Sequence, residues 1–427
     1  REVTRDVEQS LGEARTAVEA GDLTLAMARI SEAKGRLANV PRELPELVHS
    51  VQQFRDEVMS RSATMAEFKK FQTMAHEVIL GGDDWDGNED ERALKKVQQA
   101  LDIYGIRDDE RWIEKLASDL TDTQTATIKR QANELTLHLA NYLRSQEDDQ
   151  ASEEALRQLR AAEKWCEPTP ALYWLRSECQ TQLGLNHQAA KSRRRFELMP
   201  ATTALDHYLP AHASEWELDW EDPIHRQAIR GYRAALKIQP DHFKSLFFLG
   251  QRLMRTHQSE QALEVYLACM ALRPRHYMVL CQQGYLASIL GDSKEAVRLL
   301  RKAIHVRPRG YTAYETLTEH YETRGQYAKA LSVSDEMGEG QWYITVGAGS
   351  LSAPDSEQHR RAFAHTRNCR HAGRLEDALR AANNNLEIYP ESGFVFAERA
   401  AVYADLGQYK KAQEDIDRAH KLAIQDS

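Results

Sequence analysis

Turn-forming residues are scarce in this chain. Its 427 residues hold 21 Gly and 12 Pro, together about 8% where average usage is roughly 12%. A sandwich, a propeller and a disordered chain all need more; a helical chain with short connections does not. The cysteines exclude a disulfide or zinc framework. There are five (Cys166, Cys179, Cys269, Cys281 and Cys369), an odd number with no CxxC pair, and they are expected as small core residues. No apolar run approaches the roughly 18 residues of a membrane span. Positive charge is short as well: 56 Lys and Arg against 65 Asp and Glu give a net charge of −9, which argues against a general nucleic-acid binder. Also missing are a Gly-rich phosphate loop, an HRD-type catalytic loop, a DFG triplet and any Ser/His/Asp or Cys/His set in a supporting context. The chain is therefore read as non-catalytic, with no cofactor and no metal.

What is present is a period. Pro240, Pro274 and Pro308 recur every 34 residues. Ala228, Ala262, Ala296 and Ala330 keep the same step, and Ala378 and Ala412 resume it after a break. Gly250 and Gly284 share one phase, and Gly291, Gly325, Gly373 and Gly407 another. A repeat of this length is a helical hairpin too small to bury its own apolar face, so it stacks on its neighbours. A small residue where helices cross lets their backbones approach. Gly after the first helix supplies a left-handed turn, and Pro after the second removes an N–H and stops it. Asp292 stands where a helix N-cap is expected.

These marks are the tetratricopeptide (TPR) signature. They predict an all-α fold, a TPR-type helical-hairpin solenoid forming a right-handed superhelix, with an irregular N-terminal helical region. Residues 1–165 are read as that region, with one TPR-like hairpin around Gly21, Ala26 and Ala33 and long helices at 45–80 and 109–145. The second long helix is inferred from Trp112, Leu116 and Leu120 followed by Leu135, Leu139 and Leu143. Degenerate hairpins follow at 166–221, marked by Leu172, Leu175, Gly184, Ala189 and Pro200. The regular array spans 222–337, a flexible insertion 338–358, and a C-terminal TPR pair 359–427. Within the insertion, Trp342 to Val346 is strand-like and is expected to pack into the array's groove or to offer an edge. The acidic link from Asp83 to Glu91 lacks the carboxylates of a calcium loop, since Gly82 and Ala93 stand where they are needed, and reads as solvated.

The first helix of each TPR hairpin is expected to line a concave groove for an extended protein or peptide. Helical geometry sets Lys244, Phe247, Gln251 and Met254 on one stripe, and Met278, Cys281, Tyr285 and Ile289 on the next. Glu315, Glu319 and Glu322 follow, and then Arg360, Arg367, His371 and Arg374. The groove would run from apolar to acidic to basic, with charge setting register; the competing reading is that the two charged stripes neutralise each other across adjacent repeats. The Lys/Asn arrangement that clamps a C-terminal carboxylate is missing, which disfavours chaperone tails. The basic run Lys191 to Arg195 reads as a solvated helix face in preference to a phosphate-binding one, His207 and His212 have no metal-ligand spacing, and Trp216 and Trp220 read as staples of an irregular hairpin.

The wording of the repeats carries a resemblance. Pro240-Asp241-His242-Phe243, the stretch from Ala268 to Pro274, Gly284-Tyr285 and Leu290-Gly291-Asp292 resemble the TPR arrays of large bacterial membrane-anchored serine/threonine kinases. The opening Arg1 to Val7 looks like the segment just after that family's membrane helix, and Ala100 to Ile106 like its intermediate helical region. The start at Arg1, not Met, is read as the edge of a fragment. The resemblance implies a sensor or docking region whose kinase domain lies outside this chain, on a membrane-tethered parent. Self-association that gathers tethered kinase domains is the alternative. The free thiols lean toward a reducing compartment and the family's architecture admits the far side of the membrane; both stand.

Overall fold

A computed structural model describes residues 2–38, 44–80, 89–213, 223–337 and 356–425. The acidic link at 83–88, Trp216, Asp219, Trp220, the 342–346 stretch and the insertion up to 355 lie outside them. The described residues contain helix, turn and coil and no strand. Those of 2–80 and 90–213 form one compact unit, and those of 223–425 a second.

The second unit is the regular one. Its helices are α10 (Pro223–Ile238), α11 (Phe243–Arg255), α12 (Ser259–Leu272), α13 (Tyr277–Ile289), α14 (Ser293–Val306), α15 (Tyr311–Glu322), α16 (Tyr327–Met337), α17 (Ser356–His371), α18 (Leu375–Ile388), α19 (Gly393–Asp405) and α20 (Tyr409–Gln425). Each packs on the next throughout, and α13 also touches α15 and α17 touches α19, so first helices lie beside first helices. This is a TPR-type stack. All six phased alanines are buried. Helices α10, α12 and α14 each stop two residues short of their proline, and Arg273 and Arg307, the residues before Pro274 and Pro308, are drawn out to φ −139°. Gly291, Gly325, Gly373 and Gly407 all take positive φ, and where the same phase falls on His257 the backbone does so anyway, at φ 58°. A Cβ built on Gly284 would lie 2.6 Å from Leu300 Cγ, which is why that crossing point carries no side chain. The stack runs on across the break, with Leu331, Cys369, Ala378 and Val402 in one apolar cluster.

The start of each first helix repeats too. The His242 Nδ1 accepts the Ser245 N–H, and the His276 Nδ1 accepts the Val279 N–H, both at 3.3 Å. One step further the cap position is Gly310, which has nothing to offer. There the Ala313 N–H donates to the Tyr277 hydroxyl at 2.9 Å, so a side chain of the preceding hairpin caps α15.

The first unit is built from α1 (Glu2–Glu19), α2 (Leu23–Leu37), α3 (Pro45–Leu80), α4 (Glu89–Asp102), α5 (Asp122–Arg144), α6 (Asp149–Ala162), α7 (Pro170–Gln182), α8 (Asn186–Leu198) and α9 (Ala204–Ala213). Helices α1 and α2 turn at Gly21, and Asp22 caps α2 through the Leu25 N–H at 2.9 Å. The 36-residue α3 continues their core through Val51 and Val58. The long helix expected over 109–145 is corrected here. Its first part is turns and a short 3-10 segment, Trp112–Lys115, and the helix proper begins at Asp122. The reason is a capping box: the Gln124 N–H donates to Thr121 Oγ1 at 3.2 Å while the Thr121 N–H donates to Gln124 Oε1 at 2.9 Å. Trp112 is buried edge-on against Trp165, with ring centroids 5.3 Å apart, so its spacing to Leu116 and Leu120 reports a local fold and not a helical face.

Candidate functional site

The first helices of the second unit carry the stripe inferred from the sequence, and burial divides it. Tyr285 and Ile289, one turn apart on α13, are 37% and 51% exposed, and Leu290 beside them is 47% exposed. Lys244, Gln251 and Met254 on α11 are half-buried, as are Glu315 and Glu322 on α15; Glu319 is exposed. Phe247 is not a surface anchor: it is 2% exposed, edge-on to Tyr266 and to Phe248 and tilted against His276. Met278 and Cys281 are buried as well. A stripe taken at one helical angle overshot because each first helix is covered on two sides by neighbours, which leaves about a turn's width open.

The charged stripes meet each other. Arg367 donates to Glu322 at 2.9 Å, and Asn368 donates to the other oxygen of that carboxylate at 2.6 Å, joining α17 to α15. His371 stacks on Tyr327 with ring centroids 4.7 Å apart. Arg374 is corrected: it precedes α18 as its cap residue and does not belong to α17, and it donates to Asp377 at 2.7 Å and lies 3.6 Å from Asp335. The side chain of Arg360 lies outside the described residues. What remains for a ligand is narrower than the full stripe. Of the stripe, Tyr285 and Ile289 on α13 and Glu319 on α15 are exposed, the two helices touch, and Glu322 is taken up by Arg367.

A polar seam ties the two helices together. The His320 ring sits between two hydroxyls, Nδ1 2.7 Å from Ser288 Oγ and Nε2 2.7 Å from Ser293 Oγ, and so pins α15 to the α13–α14 turn. Arg324 adds a bond to the Ser288 carbonyl at 2.9 Å. Burial and the Arg324 charge lower the pKa of His320. Although Glu319 is exposed by area, desolvation by the surrounding protein, with Glu322 one turn away, raises its pKa. The sequence reading missed His320, whose offsets of 32 and 27 residues from the two serines do not coincide with the repeat step.

Elsewhere the chemistry is quiet. Four cysteines are buried and Cys166 is partly so, and burial pushes their thiols up, to about 11 for Cys166 and Cys369 and about 12 for Cys179, Cys269 and Cys281. Such thiols are poor nucleophiles. His212 stacks on Tyr208. Among the described residues no group of three or more His, Cys, Asp or Glu is arranged to hold a metal ion, and no helix is long and apolar enough to cross a membrane.

No family model matches the chain, and no curated protein matches it. Solved structures do. PilF of Pseudomonas aeruginosa is 16% identical over 55% of this chain and 97% of its own, with a TM-score of 0.39. A tetratricopeptide repeat protein from Parabacteroides merdae is 17% identical over 51% of this chain and 79% of its own, also at 0.39. MamA from Desulfovibrio magneticus RS-1 is 20% identical over 43% and 97%, at 0.36.

Proposed function

We propose that this chain is a non-catalytic scaffold that binds an extended polypeptide along the first helices of its second unit. One observation carries the reading: Tyr285 and Ile289 stand exposed one turn apart on a helix that is mostly core, and that helix touches the one carrying Glu315 and Glu319 and is tied to it by His320. Apolar side chains held open on a rigid face favour a partner's apolar anchor, and adjacent carboxylates favour a basic residue beside it. Peptides selected on the full chain from a displayed random library are expected to carry an aromatic or aliphatic residue followed by Lys or Arg. The double substitution Tyr285→Ala/Ile289→Ala is expected to weaken them at least tenfold. Equal affinity for the substituted protein would remove this face from the account.

The finer reading makes the array the docking region of a serine/threonine kinase. Its support is the wording of residues 240–243, 268–274 and 284–292, and the gene upstream of Arg1 tests it: a kinase domain and membrane helix there are expected, and their absence contradicts it. Self-association has its own observation in the last described hairpin, where Phe394 is 56% and Tyr409 73% exposed. Sedimentation across a wide concentration range decides that reading, since a strict monomer excludes it.

A further inference from the structure

We propose that a cavity between α7 and α8, in the first unit, binds a phosphate group. The cavity measures about 340 Å³, at the small end of the range for small-molecule sites. Four of its lining residues are Arg176, His187, Lys191 and Arg195, and none is acidic. The basic residues of the run from Lys191 to Arg195 are exposed, as expected of a solvated face, but they do not all face the same way. Lys191, Ser192 and Arg195 line the cavity, one turn of helix apart, while Arg193 is turned away and paired with Glu178 at 2.6 Å.

The lining is also held in place. Arg195 donates to the Tyr173 hydroxyl at 3.2 Å and lies over that ring at 5.2 Å. Ser192 donates to Gln180 at 2.8 Å, which fixes the amide on the opposite wall. Arg176 is anchored by Glu163 at 2.8 and 2.9 Å, and its Nε–H is buried with no acceptor. Glu163 neutralises Arg176, whereas neither Lys191 nor Arg195 forms an ion pair among the described residues. Two uncompensated cations beside a fixed guanidinium match an anion of charge near −2 whose tetrahedral oxygens accept from several directions. A phosphate monoester has that charge and shape, and pyrophosphate presents two such groups with more charge; a single carboxylate has neither.

Isothermal titration of the full chain tests this with four probes: inorganic phosphate, pyrophosphate, a phosphoserine peptide and citrate. Pyrophosphate or one of the other phosphates is expected to bind, more tightly than citrate, and more weakly as salt rises. The phosphoserine arm separates a modified polypeptide from a free phosphate compound. Lys191→Gln and Arg195→Gln are each expected to weaken binding at least tenfold, and Arg193→Gln and Arg194→Gln to leave it unchanged. Should Arg195→Gln perturb folding, as read by its thermal melt, Lys191→Gln carries the test alone. No binding of any phosphate at millimolar concentration overturns the proposal. So does an equal loss in the Arg193 and Arg194 variants, which would show diffuse charge attraction and no site. Neither result bears on the polypeptide face of the second unit.

Discussion

The two units cap and turn their helices with many of the same devices, but only the second repeats them at a constant step. In the second unit they recur with the repeat: His242 and His276, 34 residues apart, each cap their own first helix through the amide three residues on, Tyr277 caps the next first helix where Gly310 cannot, and Gly284 makes room for Leu300 within its hairpin. In the first unit the ends of α2, α5 and α6 are closed by neighbours in sequence, with Asp22, Thr121 and Asp148 each bonding an amide three residues on. A device repeated at a fixed step imposes periodicity on the sequence; one used singly leaves each helix free in length, as the 36 residues of α3 show. Damage at Tyr277 should accordingly reach the next hairpin, and damage at Thr121 should stay with its own helix.

The largest expected effect is on the pH dependence of the second unit. Burial, reinforced by Lys244 and opposed by Asp241, lowers the pKa of His242 from 6.5 to about 4. Above 6.5 the ring is neutral in both states and stability is complete. As pH falls toward 4 the unfolded chain takes up a proton that the folded one refuses, so about 3 kcal/mol is lost, with no further loss below. His242→Asn keeps a capping side chain and should flatten that part of the profile in denaturant melts. Next, Gly284→Val should cost about 2 kcal/mol by overpacking Leu300, and hydrogen exchange should rise in α14 as well as α13. Tyr277→Phe should cost about 1.5 kcal/mol by stranding the Ala313 N–H. Its exchange signature belongs at the start of α15, in a hairpin the substitution does not touch. Thr121→Ala, about 1 kcal/mol, is the counterpart in the first unit, and its exchange should rise at the start of α5 alone. The smallest is a gain: His257→Gly should stabilise by about 0.5 kcal/mol, because it relieves a left-handed residue at a position the repeat gives to glycine. Thermal melts of the matched pair His257→Gly and Gly291→His check it, the second moving the other way.

The same contrast governs what could be read from sequence. The phased Pro, Ala and Gly mark backbone requirements that recur at every step, so the hairpins of 223–337 and 356–425 were legible. The break at 109–121 was not, because Trp112, Leu116 and Leu120 imitate a helical stripe and only the Thr121–Gln124 pair marks the true start. The α5–α6 hairpin also escaped notice, since its turn uses Glu147 at φ 53° in place of glycine. At the candidate site, Tyr285 and Ile289 were found by helical angle, whereas Phe247 and Met278 lay at the same angle and are buried. Angle alone does not say which flank a neighbouring hairpin covers. Neutralisation of the charged stripes was one of two readings, and the Glu322–Arg367–Asn368 cluster favours it at that end.

The most direct test of the account is hydrogen exchange, read by mass spectrometry on the full chain, with and without a peptide selected on it. Protection confined to α13 and α15 around Tyr285, Ile289, Glu315 and Glu319 is predicted. Unchanged exchange there, with protection arising in the first unit or on the second helices α12 and α14, would contradict it.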